Sequence, residues 1–143
     1  MHVAAVLKRK GPDIVSVRPD DVIAAVARTL AAKRIGAALV VDGGLPVGIL
    51  SERDIVRGVA GHGSAVLQQP VSALMTRDLV TCQPTDTVAQ VMAMMTEHRI
   101  RHLPVMEGEQ LVGLISIGDV VKARLDDAEL EVESLRGYVA GIG

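Results

Sequence analysis

Apolar and polar positions along residues 14–58 follow an order that predicts five short elements. A β-branched run at 14–17 predicts a strand. Apolar residues then recur at helical spacing, at Ile23, Val26, Ala27 and Leu30. Two apolar runs, 37–41 and 46–50, flank Asp-Gly-Gly, a composition typical of a hairpin turn. A second helix is expected to begin at Ser51, so the predicted order is β-α-β-β-α.

The same pattern occurs a second time, 65 positions further along the chain. Residues 14–58 align without gaps to residues 79–123, and about fourteen of the 45 positions are identical. The identical pairs include Asp21/Asp86, Arg34/Arg99, Gly48/Gly113, Ser51/Ser116 and Asp54/Asp119. We expect Asp21 and Asp86 in the first turn of a helix, where a negative charge suits the helix dipole. One such unit would bury too little surface to be stable alone. The pattern therefore predicts an α+β fold in which two β-α-β-β-α repeats pack with pseudo-two-fold symmetry.

The repeats divide the chain into four predicted parts. Residues 1–60 hold the first repeat with an N-terminal segment, 61–75 a linker, 76–125 the second repeat, and 126–143 a C-terminal helix. The helix is predicted from apolar residues at three- and four-residue spacing with acids between them, namely Leu125, Ala128, Val132, Leu135 and Val139. Such a narrow stripe suits docking on the module itself or on a second subunit.

Composition restricts the kind of protein. The 143 residues include one Tyr and no Phe or Trp, so the core must be aliphatic and a planar ligand would lie between aliphatic side chains. A net charge of -2 with mixed signs argues against nucleic-acid binding. The single Cys82 excludes an internal disulfide and suits a reducing cytoplasm. No apolar run approaches the ~20 residues of a membrane helix.

The chain carries no pattern of an enzyme site. We find no nucleophile–base pair, no cluster of metal ligands and no phosphate loop of the Walker type. No catalytic residue and no metal site are therefore expected.

The motifs "GILSERD" and "GLISIGD" each place a serine three residues before an aspartate. Ser51 and Ser116 are good N-cap residues, and with Asp54 and Asp119 they form a variant of the capping box that stabilises each helix by about 1 kcal/mol. The same geometry also suits a ligand, because free N–H groups at a helix start bind phosphate and a carboxylate can accept ribose hydroxyls. One serine can do both.

Charged residues distinguish the two repeats. Arg101 and His102 precede an apolar strand, either as solvated side chains or as a phosphate clamp. Their counterparts in the first repeat are the uncharged Gly36 and Ala37, and Arg53 is replaced by Gly118 in the second repeat. We therefore expect two inequivalent ligand clefts. The basic run Lys8, Arg9 and Lys10 is either solvated or in reach of a polyphosphate.

The duplicated "VGILSERD" and "VGLISIGD", the strand "RIRHLPV" and the segment "VSALMTRDLVTCQPTDTV" together resemble the CBS-domain pair, or Bateman module. The resemblance covers roughly residues 5 to 125, and the chain looks most like the small stand-alone bacterial members. It implies a disc-like homodimer that binds an adenosine-containing ligand, such as AMP, ADP, ATP, NAD or S-adenosylmethionine, between the repeats. It also implies that ligand binding is reported to a regulated partner protein.

The resemblance implies ribose at Asp54 or Asp119, phosphates at the nearby hydroxyl and basic residues, and adenine among aliphatic side chains. The expected ligand-binding residues are Lys8, Ile14, Ser51, Arg53, Asp54, Arg101, His102, Leu103, Pro104, Ser116, Gly118 and Asp119. The alternative is a structural interaction or dimerisation module that binds no small ligand.

Overall fold

The computed structural model describes residues 1–11 and 13–142, with side chains up to residue 137. The first half of the chain forms α1 (Val3–Lys10), β1 (Ser16–Val17), α2 (Ile23–Lys33), β2 (Ala37–Asp42), β3 (Leu45–Ser51) and α3 (Glu52–His62). Two short 3-10 turns, Ser64–Gln68 and Val71–Ala73, link it to the second half. The second half forms α4 (Val88–His98), β4 (His102–Glu107), β5 (Gln110–Ser116) and α5 (Ile117–Ile142). The predicted α+β fold of two β-α-β-β-α repeats is confirmed.

Each repeat builds a small sheet around a hairpin. In the first repeat β1 pairs in parallel with β2, and β2 pairs antiparallel with β3. In the second repeat β4 and β5 form the equivalent hairpin. The strand predicted at 79–82 is reduced there to one parallel bridge between Cys82 and Val105, which repeats the register of Val17 and Val40. The two sheets therefore have the same plan.

Alternate residues of β2 are buried on opposite faces of its sheet. Ala38 and Val40 pack with α2 in the core of the first repeat. Ala37 and Leu39 face the other way and pack with Ile49 and with Leu114 of the second repeat. A strand that is covered on both faces is expected to be continuously apolar. The two sheets consequently pack against each other through an aliphatic layer.

The segments that precede the two repeats are exchanged between them. α1 precedes the first repeat, but its residues Val3 and Val6 are buried in the core of the second. Leu7 of α1 also approaches Gly113 on β5 so closely that an added Cβ would lie 2.6 Å from a Leu7 methyl carbon. The linker precedes the second repeat, but Val71 and Met75 are buried in the core of the first. Each repeat is therefore completed by a segment from elsewhere in the chain.

Two predicted details of the helices need correction. Asp21 and Asp86 lie before α2 and α4 rather than in their first turns, where they accept hydrogen bonds from the backbone N–H groups of Arg18 and Gln83. These carboxylates therefore stabilise the turn after β1 and its counterpart.

The second correction concerns the last helix. The helix predicted from Ser116 and the helix predicted at 126–143 form one continuous helix, α5. The side chains of Leu125, Leu130, Val132 and Leu135 are exposed, so the apolar stripe of this stretch is not covered by the rest of the chain. Its contacts with the N-terminal segment are the ion pairs of Asp126 with Arg9 and of Asp127 with the Met1 amino group. Gly143 and the side chain of Val139 lie outside the described residues.

We predict that Val3→Ala destabilises the protein by about 2 kcal/mol, because Val3 is fully buried and its truncation leaves a cavity in the second repeat's core. Chemical denaturation measures this loss. Lys8→Ala, on the exposed face of the same helix, is the matched control and should change the free energy of unfolding by less than about 0.5 kcal/mol. Equal effects of the two changes would show that α1 does not belong to the core.

Candidate functional site

Two clefts of about 390 Å³ each open between the repeats. Cleft one lies at the start of α3 and cleft two at the start of α5. The lining of cleft one includes Ser51, Arg53 and Asp54 from the first repeat, together with Leu79, Val80, Ile100, Arg101 and His102 from the second. The lining of cleft two includes Ser116 and Gly118 from the second repeat, together with Ile14, Val15, Ile35 and Ala37 from the first. Each cleft thus joins the helix start of one repeat to aliphatic residues that flank the strands of the other.

The serine at each helix start forms the predicted cap. Asp54 Oδ2 accepts hydrogen bonds from the Ser51 backbone N–H and the Ser51 hydroxyl, each at 2.9 Å, while Ser51 Oγ accepts the Asp54 N–H at 3.1 Å. The Thr76 hydroxyl donates to Asp54 Oδ1 at 3.3 Å. At the second helix the Ser116 backbone N–H donates to Asp119 Oδ2, and the Asp119 backbone N–H donates to Ser116 Oγ. The capping prediction is confirmed at both helices, and both carboxylates are held at a cleft by it.

Asp119 carries an additional partner from the N-terminal helix. Lys10 Nζ lies 2.8 Å from Asp119 Oδ2 and donates a second hydrogen bond, also of 2.8 Å, to the Leu114 carbonyl oxygen. Burial by itself raises the pKa of Asp119, but the hydrogen bonds from Lys10 and Ser116 outweigh it and lower the pKa below its ordinary value. The carboxylate beside cleft two is therefore ionised and fixed in position.

Arg101 and His102 lie where the two clefts meet and line both of them. His102 is half-buried, and its pKa is lowered first by that burial and then by the positive charges of Lys10 and Arg101, against the opposing effect of Asp119. A neutral imidazole can donate one hydrogen bond and accept another. An arriving phosphate would add negative charge and favour the protonated ring.

Most of the residues predicted for the ligand lie together at the clefts. Ser51, Arg53 and Asp54 line cleft one, and Ile14, Ser116 and Gly118 line cleft two, with Asp119 bonded to lining residues. Three predicted residues lie elsewhere. Leu103 and Pro104 are buried outside both linings, and Lys8 is exposed on α1. The basic residue that reaches cleft two is Lys10, two positions further along.

Sequence reasoning also missed several polar residues at the clefts. Arg57 and Thr76 line cleft one, and only the folded linker brings Thr76 there. Arg99 lines cleft one, and its counterpart Arg34 lines cleft two. Both have φ of 54° at the ends of α2 and α4, a left-handed conformation that costs a residue other than glycine about 1–2 kcal/mol. Their identity in the two repeats was the available signal.

The residues that the structure describes contain no group of three or more His, Cys, Asp or Glu side chains placed to hold a metal ion. Within the same residues, each helix is too short or too polar to cross a bilayer.

Cys82 is buried, and burial together with the charge of Asp86 raises the pKa of its thiol to about 12, so it packs as a small apolar residue.

Comparison with known proteins agrees with this geometry. A family model described as the CBS domain matches residues 4–61 and again residues 71–126. The chain therefore belongs to the CBS-domain family and carries two copies of the domain, a module whose general role is regulatory.

Individual relatives cover the chain to different extents. The mitochondrial protein CBSX3 of Arabidopsis thaliana is 33% identical over 127 residues, which are 85% of this chain and 62% of that protein. The solved structure of ATU1752 from Agrobacterium tumefaciens is 52% identical with a TM-score of 0.83, and the match covers 87% of this chain and 99% of that one. The chain thus resembles a stand-alone CBS-pair protein over nearly the whole length of the latter.

A third structure was solved with ligands. The CBS domain pair of protein MJ0100, in complex with 5′-methylthioadenosine and S-adenosyl-L-methionine, has a TM-score of 0.76 over 90% of this chain and 98% of that one. Its sequence identity is 23%, so the likeness concerns the fold alone.

The lowered pKa of His102 predicts a loss of stability in acid. The unfolded chain binds a proton at this histidine at higher pH than the folded chain does, so stability is highest above about pH 6.5 and falls as the pH drops below it. His102→Gln should make the free energy of unfolding less dependent on pH between 7.5 and 5.5. Denaturation with urea at several pH values measures the slope, and His62→Gln on exposed α3 is the control for loss of an imidazole. An unchanged slope in His102→Gln would contradict the assignment.

Proposed function

We propose that the protein is a non-enzymatic sensor that binds adenosine nucleotides, such as AMP, ADP, ATP or NAD, in its two clefts and signals their presence to a regulated protein. The observation that carries the proposal is the composition of each cleft. Both combine a capped helix start, an aliphatic wall and cationic side chains in about 390 Å³. A fixed carboxylate lines cleft one and another is bonded to Ser116 at the edge of cleft two. A pocket of that size and lining is typical of a small-molecule site.

The aliphatic walls suit the adenine. Cleft one offers Leu79, Val80 and Ile100, and cleft two offers the equivalent Ile14, Val15 and Ile35. The base would lie flat between these side chains, which gain from removal of apolar surface from water. Among the described residues, neither cleft is lined by Phe, Tyr or Trp, so the base has no such ring to stack on.

The polar ends suit ribose and phosphate. Asp54 and Asp119 are anchored by their caps and can accept the two ribose hydroxyls. The starts of α3 and α5 present N–H groups and a partial positive charge to phosphate. Arg101 and His102 supply further donors to both clefts, and Arg53 adds a guanidinium to cleft one. The CBS pair of MJ0100 supports an adenosine ligand for this fold.

The regulatory role follows from the position of the clefts between the repeats. A nucleotide that contacts the helix start of one repeat and the aliphatic wall of the other favours one relative arrangement of the two. A partner that binds one arrangement better would then respond to the nucleotide. A cytoplasmic location stays a prediction from the single buried cysteine.

We predict that AMP, ADP, ATP or NAD stabilises the protein against heat. A ligand at 100 times its Kd adds about 2.7 kcal/mol to the free energy of unfolding, which corresponds to roughly 5–10 °C in Tm. Differential scanning fluorimetry with each nucleotide in turn measures the shift. The double variant Asp54→Ala/Asp119→Ala should lose the shift, because both ribose carboxylates are removed.

A control distinguishes the loss of nucleotide binding from the loss of the two helix caps. Loss of the two caps lowers Tm without ligand, so the readout is the shift that the ligand causes in each variant. Asp42→Ala, at the exposed end of β2, should keep the full shift. Absence of a shift with every nucleotide in the unaltered protein would favour the structural module without a ligand. Release of product from ATP or NAD would favour an enzyme instead.

We also propose that the protein forms a homodimer through α3 and α5. Val56 on α3 and Val121 on α5 occupy equivalent positions of the two repeats and are 67% and 49% exposed. Leu125, one turn beyond Val121, is 60% exposed. An apolar surface that is itself repeated by pseudo-two-fold symmetry fits a second copy of the same chain, because a two-fold interface is self-complementary.

The double variant Val56→Glu/Val121→Glu should convert a dimer to a monomer of 15.0 kDa, because it places like charges in the apolar interface. Size-exclusion chromatography with light scattering measures the mass. Leu45→Glu, at a similarly exposed apolar residue on β3, should remain dimeric. A monomeric unaltered protein, or a double variant that stays dimeric, would rule out this interface.

A further inference from the structure

The two clefts have only three lining residues in common, Gly36, Arg101 and His102, within the part of the chain that the structure describes. Gly36 is the counterpart of Arg101, and Ala37 is the counterpart of His102. A Cβ added to Gly36 would lie 3.6 Å from His102 Cε1 and 3.7 Å from Nε2, so Gly36 faces the imidazole across the junction. The duplication has therefore left one basic pair, Arg101 and His102, at a point that serves two clefts. We call it the shared pair.

The clefts differ in what remains without the shared pair. Cleft one also has the guanidinium groups of Arg53, Arg57 and Arg99. Cleft two has Arg34 and Lys10, and the Lys10 ammonium already donates to Asp119 and to the Leu114 carbonyl. Acidic residues oppose these charges in both clefts, namely Glu52, Asp54 and Asp78 in cleft one and Asp13 and Asp119 at cleft two. A phosphate in either cleft consequently depends on the shared pair.

We infer that the two clefts compete for the shared pair, so that a nucleoside phosphate in one cleft weakens the binding of a second nucleoside phosphate in the other. A neutral imidazole has one N–H to donate, a single guanidinium charge would be divided between two phosphates, and two phosphates at one junction repel each other. The coupling is reciprocal, as linkage requires. Adenosine, which has no phosphate, escapes the competition. This inference rests on the proposed nucleotide binding and adds a relation between the two sites.

Isothermal titration calorimetry with AMP and with adenosine tests the coupling. Asp119→Ala leaves cleft one to be measured alone, and Asp54→Ala leaves cleft two. If the clefts are independent, the titration of the unaltered protein equals the sum of these two. We expect instead that the second AMP binds at least about fivefold more weakly than the weaker of the two separate clefts. Adenosine should give the simple sum.

Gly36→Arg supplies the missing second guanidinium to the junction. The backbone of Gly36 is not in the left-handed region, and its Cβ position makes only ordinary contacts, so the residue can be accommodated. We expect both AMP molecules to bind Gly36→Arg with much less coupling. Gly36→Ala, which adds bulk without charge, should keep the coupling of the unaltered protein.

Two results would overturn the inference while leaving nucleotide binding intact. One is an AMP titration of the unaltered protein that equals the sum of the single-cleft titrations. The other is a cleft that fails to bind AMP even when it is measured alone in a folded variant. If neither AMP nor adenosine binds the unaltered protein, the proposed function fails and the inference fails with it.

Discussion

The aliphatic contact between the two sheets is the interaction on which both clefts depend. Ala37, Leu39 and Ile49 of the first repeat pack there with Leu114 of the second. Neither sheet could leave this apolar face in water, since each buried aliphatic side chain contributes about 1.5–3 kcal/mol. Face-to-face packing places the helix start of each repeat beside the aliphatic cleft residues of the other. The clefts are therefore a consequence of how the core is closed.

The exchange of flanking segments strengthens that arrangement and completes the clefts. α1 packs on the second repeat and delivers Lys10 to Asp119, while the linker packs on the first repeat and delivers Thr76 to Asp54. Each carboxylate thus receives a donor from the segment that precedes the opposite repeat. Because the donors differ, an ammonium at one and a hydroxyl at the other, the two carboxylates lie in different electrostatic surroundings.

The differences in charge between the two clefts lie at positions where they cost the fold little. At the exposed helix start the first repeat has Arg53 and the second has Gly118. At the open junction the second repeat has Arg101 and the first has Gly36. The buried positions stay apolar, as in the pairs Leu30/Met95 and Ala38/Leu103, because a polar group without a partner is costly in a core. One scaffold has therefore been used twice with different charges at its openings. Its ligand preferences can change without any change in its architecture.

The sequence by itself determined the repeat, the order of its elements, the capped helix starts and the charged positions that distinguish the copies. These follow from local periodicity and from pairwise identity, which need no knowledge of long-range contacts. Only the tertiary structure decided that α1 belongs to the second core and that Lys10, not Lys8, reaches a cleft. It also placed Leu103 and Pro104 in the interior and set Arg101 and His102 between the clefts. Such relations depend on how distant segments pack, and no local pattern encodes which neighbour a side chain will meet.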